Sequence, residues 1–173
     1  MREILLSIVL CVPVAGCAMA SGAASGPSQR QPSPCHARGH GPFSLPDHHC
    51  TPGVVDRAVT QADIHRTICR SGYSKKVRPP ESVTEPEKLV SMAAYGDSGS
   101  PHDYEYDHLI PLELGGAPND LHNLWPEPGA TPNPKDRLEN RLHRMVCAGT
   151  ISLTAAQHEI ATNWVKKYHQ LFD

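Results

Sequence analysis

The sequence predicts an α+β fold in which a small sheet packs among helices and long loops. Two short segments, "YEYDHLI" and "NLWPE", are the strongest strand candidates, and each runs into a proline. Segments on both sides of them repeat apolar residues at helical spacing. The 17 prolines and 13 glycines indicate that much of the remaining chain forms loops.

Two helices are predicted before the strands. The first, in "VTQADIHRTIC", begins at Thr60 as N-cap and ends before Gly72. The second, in "TEPEKLVSMAAYG", begins at Thr84 and ends at Gly96. The basic segment "KKVRPP" between them is predicted to be extended.

Two further helices are predicted after the strands. The helix in "LTAAQHEIATNWVKKYHQLF" begins with a capping box formed by Thr154 and Gln157. The helix in "NPKDRLENRLHRMVC" carries an apolar stripe that packs on the core, formed by Leu138, Leu142, Met145 and Val146.

Residues 1–17 resemble an export signal. Arg2 precedes an apolar run from Ile4 to Val14, which is too short to span a bilayer as a mature helix. "VAGC" places small residues directly before Cys17, which resembles the lipobox of bacterial lipoproteins and implies lipid on Cys17. Cleavage after "AMA" is the alternative. We expect the mature chain to be exported, as a membrane-anchored lipoprotein or otherwise as a periplasmic or secreted protein.

Residues 18–50 are rich in Pro, Gly, Ser and His and show no helical or strand period. We interpret them as a tether and a loop, and we place the domain at residues 51–173.

Four cysteines in the body predict two disulfides, and the sequence alone allows three pairings. We favour Cys69–Cys147, because each cysteine ends a predicted helix and is followed by a glycine-containing segment. That choice leaves Cys35–Cys50. Four histidines between Cys35 and Cys50 keep a zinc site open as the alternative for that region.

The formal net charge of −2 excludes a globally basic nucleic-acid-binding surface, so any contact with a polyanion must be local. Arg137, Arg141 and Arg144 supply a candidate stripe, because spacings of four and three residues place them on one face of a helix. A solvated face paired with Glu139 is the alternative.

The segment "DHLIPLELGG", followed by Asn123 in "NLW", contains the residue types that phosphodiester hydrolysis requires. A histidine can deprotonate the attacking water, because its ordinary pKa is about 6.5. A divalent cation with oxygen ligands can offset the charge at phosphorus. Adjacent residues of a strand point to opposite faces, so Asp107 and His108 share a site only if the strand ends or twists there.

This order of strand, glycine-rich loop, strand and helix resembles the HNH family of nucleases, which is built on a ββα-metal core. The resemblance extends from Asp107 to "NPK" at the start of the following helix. It implies that His108 is the general base, that Asp107 is a metal ligand, and that the side-chain amide of Asn123 holds the loop that carries the histidine.

The resemblance also implies a second metal ligand at the start of the last helix of the core. Many HNH proteins carry a histidine there, but the matching position is Pro132, which cannot bind a metal. Asn133 is the preferred ligand and Asp136 the second choice, although both suit a helix cap. We expect Mg²⁺ or Mn²⁺, with Zn²⁺ or Ni²⁺ as alternatives.

The sequence therefore predicts an exported, disulfide-stapled α+β domain with an HNH core and flanking helices. Its predicted function is metal-dependent endonucleolytic hydrolysis of DNA or RNA, with membrane contact through an N-terminal lipid and no protein partner indicated. The alternative is a non-catalytic envelope module that uses the HNH scaffold for binding.

Overall fold

The computed structural model describes residues 34–129 and 131–173. The predicted export signal, Cys17 and the tether as far as residue 33 lie outside the described residues. In the part of the chain that is described, no helix is both long enough and apolar enough to cross a bilayer.

The sheet consists of two antiparallel strands, β1 (Tyr104–His108) and β2 (Leu124–Pro128). The register pairs Glu105 with Glu127 and Asp107 with Trp125. The α+β class and both strands are confirmed. Because β1 ends at His108, the strand stops where the sequence requires it to stop if Asp107 and His108 are to serve one site.

Helices surround this sheet. Short 3₁₀ helices cover Gly41–Phe43, Gln61–Arg66, Pro101–Asp103 and Leu112–Leu114. The α-helices are α1 (Tyr73–Val77), α2 (Glu81–Tyr95), α3 (Pro134–Cys147) and α4 (Leu153–Phe172).

The two segments before the strands differ from the prediction. The chain after Thr60 forms a 3₁₀ helix, and the Thr60 hydroxyl donates to the Asp63 carboxylate at 2.9 Å instead of capping a backbone amide. Part of the segment predicted to be extended forms α1. Helix α2 begins at Glu81, because Pro80 fixes φ at −71° directly before it, so Thr84 lies inside the helix. The predicted end at Gly96 is confirmed by its φ of 72°.

The core forms where α3 packs against α4. Leu138, Leu142 and Val146 of the predicted stripe are fully buried, whereas Met145 is only half-buried. Helix α4 contributes Ile160 and Trp164. Its N-cap is Ser152, which accepts a hydrogen bond from the amide of Ala155, and not the predicted Thr154. Helical spacing therefore located the buried faces, while the capping residue shifted by two positions.

The predicted disulfide pairing is confirmed as Cys35–Cys50 and Cys69–Cys147. The first bridge belongs to a segment that packs on the domain, since the amide of Cys35 donates to Ala94 O at 2.9 Å. The ring of Phe43 stacks on Trp164 with centroids 6.1 Å apart. Described residues before position 51 therefore pack on α2 and α4.

We expect removal of the Cys69–Cys147 bridge, in a Cys69→Ala/Cys147→Ala variant, to lower the free energy of unfolding by about 4 kcal/mol. The bridge closes a 78-residue separation, and the loss comes mainly from the greater entropy of the unfolded chain. Cys35→Ala/Cys50→Ala is the matched control, because its 15-residue separation predicts a loss of about 3 kcal/mol. Urea denaturation of both variants measures the difference, and a larger loss for the shorter loop would contradict this account.

Candidate functional site

Asn123, directly before β2, holds together the loop that follows β1. Its side chain is fully buried. Oδ1 accepts from the amides of Ile110, at 3.0 Å, and Val54, at 3.3 Å. Nδ2 donates to Ile110 O, at 3.0 Å, and Ala117 O, at 3.1 Å. Both lone-pair positions and both N–H groups are therefore used, which fixes the end of β1, the loop and the segment at Val54 to one another.

The two glycines of this loop have different structural roles. Gly115 has a φ of 71°, in the left-handed region that glycine adopts without strain. Gly116 has no room for a side chain, because a Cβ at this position would lie 1.7 Å from Ile110 O and 2.9 Å from Nδ2 of Asn123. The Gly-Gly pair thus lets the loop turn and then pass close to the buried asparagine.

His108 lies at the end of β1 and is 4% exposed. Its Nε2 contacts Pro118 O at 2.8 Å, and since a carbonyl can only accept, Nε2 carries the proton. Burial lowers the pKa of His108, although the hydrogen bond to Pro118 and the charge of Asp107 oppose that shift. The ring is therefore neutral at neutral pH, with the lone pair on Nδ1.

Asp107 is held by a buried lysine at the start of α3. Oδ2 of Asp107 accepts from Nζ of Lys135 at 2.6 Å. The same Nζ donates to His108 O at 2.8 Å and to a carboxylate oxygen of Glu139. Lys135 is completely buried, and its three N–H groups have three oxygen acceptors. Burial alone would lower the pKa of Lys135, but Asp107, Glu139 and Glu127 outweigh burial and raise it above its ordinary value.

Glu127 brings another carboxyl group to this cluster. It is 1% exposed, and among the described residues neither of its oxygens has a hydrogen-bond partner of ordinary geometry. Burial, followed by the charge of Asp107, raises the pKa of Glu127 to about 10, and Lys135 lowers it in part. Glu127 is therefore protonated at neutral pH, when Asp107 and Lys135 form an ion pair beside it.

Asn133 and Asp136, the predicted second metal ligands, form a capping box at the start of α3. Oδ1 of Asn133 accepts from the amides of Lys135, at 2.8 Å, and Asp136, at 3.1 Å. Oδ2 of Asp136 in turn accepts from the amide of Asn133 at 2.7 Å. With Oδ2 of Asp107 engaged by Lys135, one side-chain oxygen of each expected ligand already has a partner within the protein. The donor set does not fit a divalent ion in this arrangement, and the metal cofactor stays a prediction.

The predicted phosphate-binding arginines all lie on the exposed surface of α3. At 3.6 residues per turn, Arg137, Arg141 and Arg144 point between about 120° and 180° away from Lys135 around the helix axis. The guanidinium of Arg137 also lies over the ring of Phe172 at 4.0 Å. The stripe therefore does not converge with Asp107 and His108. Arg78 directly follows α1, and its charge contributes to the lowered pKa of His108.

One group of side chains in the described ranges could hold a metal by proximity. Ligand atoms of Cys69, His143 and Cys147 all lie within 4.8 Å of one another. The two cysteines form a disulfide, however, and it is the thiolate that binds metal ions. His143 meanwhile contacts Ile68 O through Nε2 at 2.9 Å. This group is thus a structural staple unless the bridge is reduced.

Local sequence patterns did not predict that Lys135, Glu139 and Glu127 form the surroundings of Asp107. A signal was present, because Lys135 and Glu139 are four residues apart and so share one face of a helix. Glu127 alternates with Trp125 on β2, which places both on the face that also carries Asp107. The signal was missed because a lysine between the apolar positions of a helix ordinarily faces solvent.

Comparisons with protein-family models, with curated proteins and with solved structures find no match to this chain. The arguments from its own residues therefore carry the functional interpretation.

We expect Asn123→Ala to destabilise the domain by at least about 3 kcal/mol, because it leaves several buried backbone groups without a partner at about 1–3 kcal/mol each. Asn119→Ala is the control, since Asn119 makes one exposed hydrogen bond to Glu87 and should lose less than about 0.5 kcal/mol. Chemical denaturation measures both variants. Similar losses for the two would show that the Asn123 contacts do not hold the loop.

We expect Glu127→Gln to remove a pH dependence of stability. The pKa of Glu127 is about 10 in the folded state against 4.5 for the unperturbed group. The folded state therefore binds more protons between these values, and the stabilisation present below pH 4.5 is lost as the pH rises towards 10. Between these pH values, the free energy of unfolding of the variant should therefore rise relative to that of the wild type by up to about 1.4 kcal/mol for each unit of increasing pH.

Unfolding free energies from pH 5 to 9 measure this effect. Glu85→Gln, which changes an exposed carboxylate on α2, is the control and should follow the wild type. Parallel profiles for the wild type and Glu127→Gln would contradict the assignment of a proton to Glu127.

Proposed function

We propose that this domain is an endonuclease of the HNH type, which hydrolyses phosphodiester bonds of nucleic acid with His108 as general base. The observation that carries the proposal is the hydrogen-bonded loop around Asn123. That loop fixes His108 at the end of β1, and Asn123 makes the contacts that the resemblance assigns to the middle asparagine of the family. The order of β1, loop, β2 and α3 also agrees with a ββα core.

The protonation state of His108 supports its role as base. Pro118 O fixes the proton on Nε2, at 2.8 Å, so the lone pair for accepting a proton from water is on Nδ1. The lowered pKa keeps the ring neutral near pH 7, which a general base requires. Arg78 is a candidate for binding a phosphate beside the ring, since its charge acts on His108.

A divalent cation would offset charge on the phosphate if it bound at this site. No step is assigned to it, because Asp107, Asn133 and Asp136 are engaged by Lys135 and by the cap of α3. We propose Mg²⁺ or Mn²⁺ as the ion, with Zn²⁺ and Ni²⁺ as further candidates, and the cleavage assay is run with and without added metal. The arginine stripe of α3 is proposed as a secondary contact for the nucleic-acid backbone.

The two disulfides are compatible with an extracellular or periplasmic location. We further propose that lipid on Cys17 attaches the protein to a membrane.

The second candidate function is a non-catalytic binding module, and one observation favours it. The buried ion pair of Lys135 and Asp107 closes the position at which HNH nucleases are expected to bind their metal. A chain that had lost catalysis and kept the scaffold for binding in the cell envelope would tolerate this closure.

Cleavage of plasmid DNA and of single-stranded RNA by the purified domain tests the proposal. Incubations with EDTA, Mg²⁺ or Mn²⁺ define the role of a metal. We expect His108→Ala and the more conservative His108→Gln to lower the rate by about 10²- to 10⁴-fold, the usual loss for a general base. His158→Ala, an exposed histidine on α4, should keep the wild-type rate. Absence of cleavage under every condition, or equal rates in all variants, would favour the binding module.

A further inference from the structure

The ammonium group of Lys135 occupies a cage of oxygen atoms. Asp107 Oδ2 lies 2.6 Å away, His108 O lies 2.8 Å away, and a carboxylate oxygen of Glu139 completes the set. The backbone carbonyl and the carboxyl groups of Asp107 and Glu139 supply oxygen atoms of the types that hard divalent cations select in proteins. The cage is therefore chemically a cation site, and a side chain of the protein fills it.

The cage shares Asp107 with the metal site that the resemblance to HNH nucleases implies, whereas the other implied ligands, Asn133 and Asp136, form the cap of α3. The cage joins Asp107, the penultimate residue of β1, to the first two turns of α3. The Lys135 side chain is 1% exposed and that of Asp107 is 11% exposed. The ammonium thus occupies a coordination position of Asp107 Oδ2, and an ion that takes this position must displace it.

Glu127 supplies an observation independent of the three cage oxygens. Its carboxyl group is 1% exposed and has no hydrogen-bond partner of ordinary geometry among the described residues. It lies on the same sheet face as Asp107, since its neighbour Trp125 on that face pairs with Asp107 in the register, and the charges of Asp107, Lys135 and Glu139 act on it. Glu127 therefore adds a further buried carboxyl group beside the Lys135 cage.

We infer that Lys135 is the resident cation of this site, that it takes the place of a divalent ion in the native chain, and that removing its side chain opens a divalent-metal site. The ligands of the opened site are Asp107, Glu139 and His108 O, with Glu127 as the fourth oxygen donor. The inference does not depend on phosphodiester hydrolysis, because its test measures binding and stability rather than cleavage.

The first arm of the test uses the wild-type domain and Mn²⁺ in calorimetric titration, repeated with Asp107→Asn. We expect no binding that depends on Asp107, because displacing the buried ammonium resembles the breaking of a buried ion pair. Binding of Mn²⁺ that Asp107→Asn abolishes would overturn the inference, and it would at the same time support a conventional metal-dependent nuclease.

The second arm uses Lys135→Ala. We expect this variant to bind one Mn²⁺ at least about a hundredfold more tightly than the wild type, since no ammonium must be displaced. Its thermal unfolding midpoint should rise with Mn²⁺ concentration, while that of the wild type stays constant. Lys135→Ala/Glu139→Gln should lose most of this binding. Lys88→Ala, at a buried lysine of α2 without an ion-pair partner among the described residues, should gain none.

Each result of the second arm decides the question. If Lys135→Ala folds and binds no Mn²⁺, the cage is not a cation site and the inference fails. If it folds only when Mn²⁺ is present, the ion replaces the ammonium and the inference stands. If it remains unfolded with Mn²⁺ in excess, the ion cannot substitute for the lysine and the inference fails.

Discussion

The contact on which the rest of this structure depends is the one between the buried ammonium of Lys135 and the carboxylate of Asp107, 2.6 Å apart. It joins the end of β1 to the start of α3 through atoms that are almost inaccessible to water. Removing one partner of such a pair costs about 3–5 kcal/mol, because the other charge is left uncompensated. The relative position of sheet and helix, and therefore the shape of the candidate site, follows from it.

Two polar centres with different tasks thus stand on either side of His108. Asn123 satisfies backbone groups on the loop side, and Lys135 binds the carbonyl oxygen of His108 itself on the helix side. The histidine is consequently held by its backbone and, through Pro118, by its ring. A general base gains from this restraint, because its geometry is set before substrate arrives. A binding module would gain only a rigid loop, so activity measurements distinguish the two roles.

The sequence was most informative where one residue type has few alternatives. The glycine pair marked the loop between the strands, and the four body cysteines indicated two bridges, both of which the structure contains. Helical spacing and residue type were misleading where a residue that ordinarily faces solvent is buried. Lys135 is fully buried although lysine is ordinarily exposed, and that burial depends on acids from β1 and from the next turn of α3. Long-range compensation of this kind cannot be seen in local spacing.

The most direct test of the central claim is an anomalous-scattering crystal structure of the native domain soaked in Mn²⁺. We predict that Nζ of Lys135 remains bonded to Asp107, His108 O and Glu139, with no manganese peak in contact with the Asp107 carboxylate. A peak coordinated by Asp107 with the lysine side chain swung away would contradict the claim, and it would show that the site takes its cation from solvent.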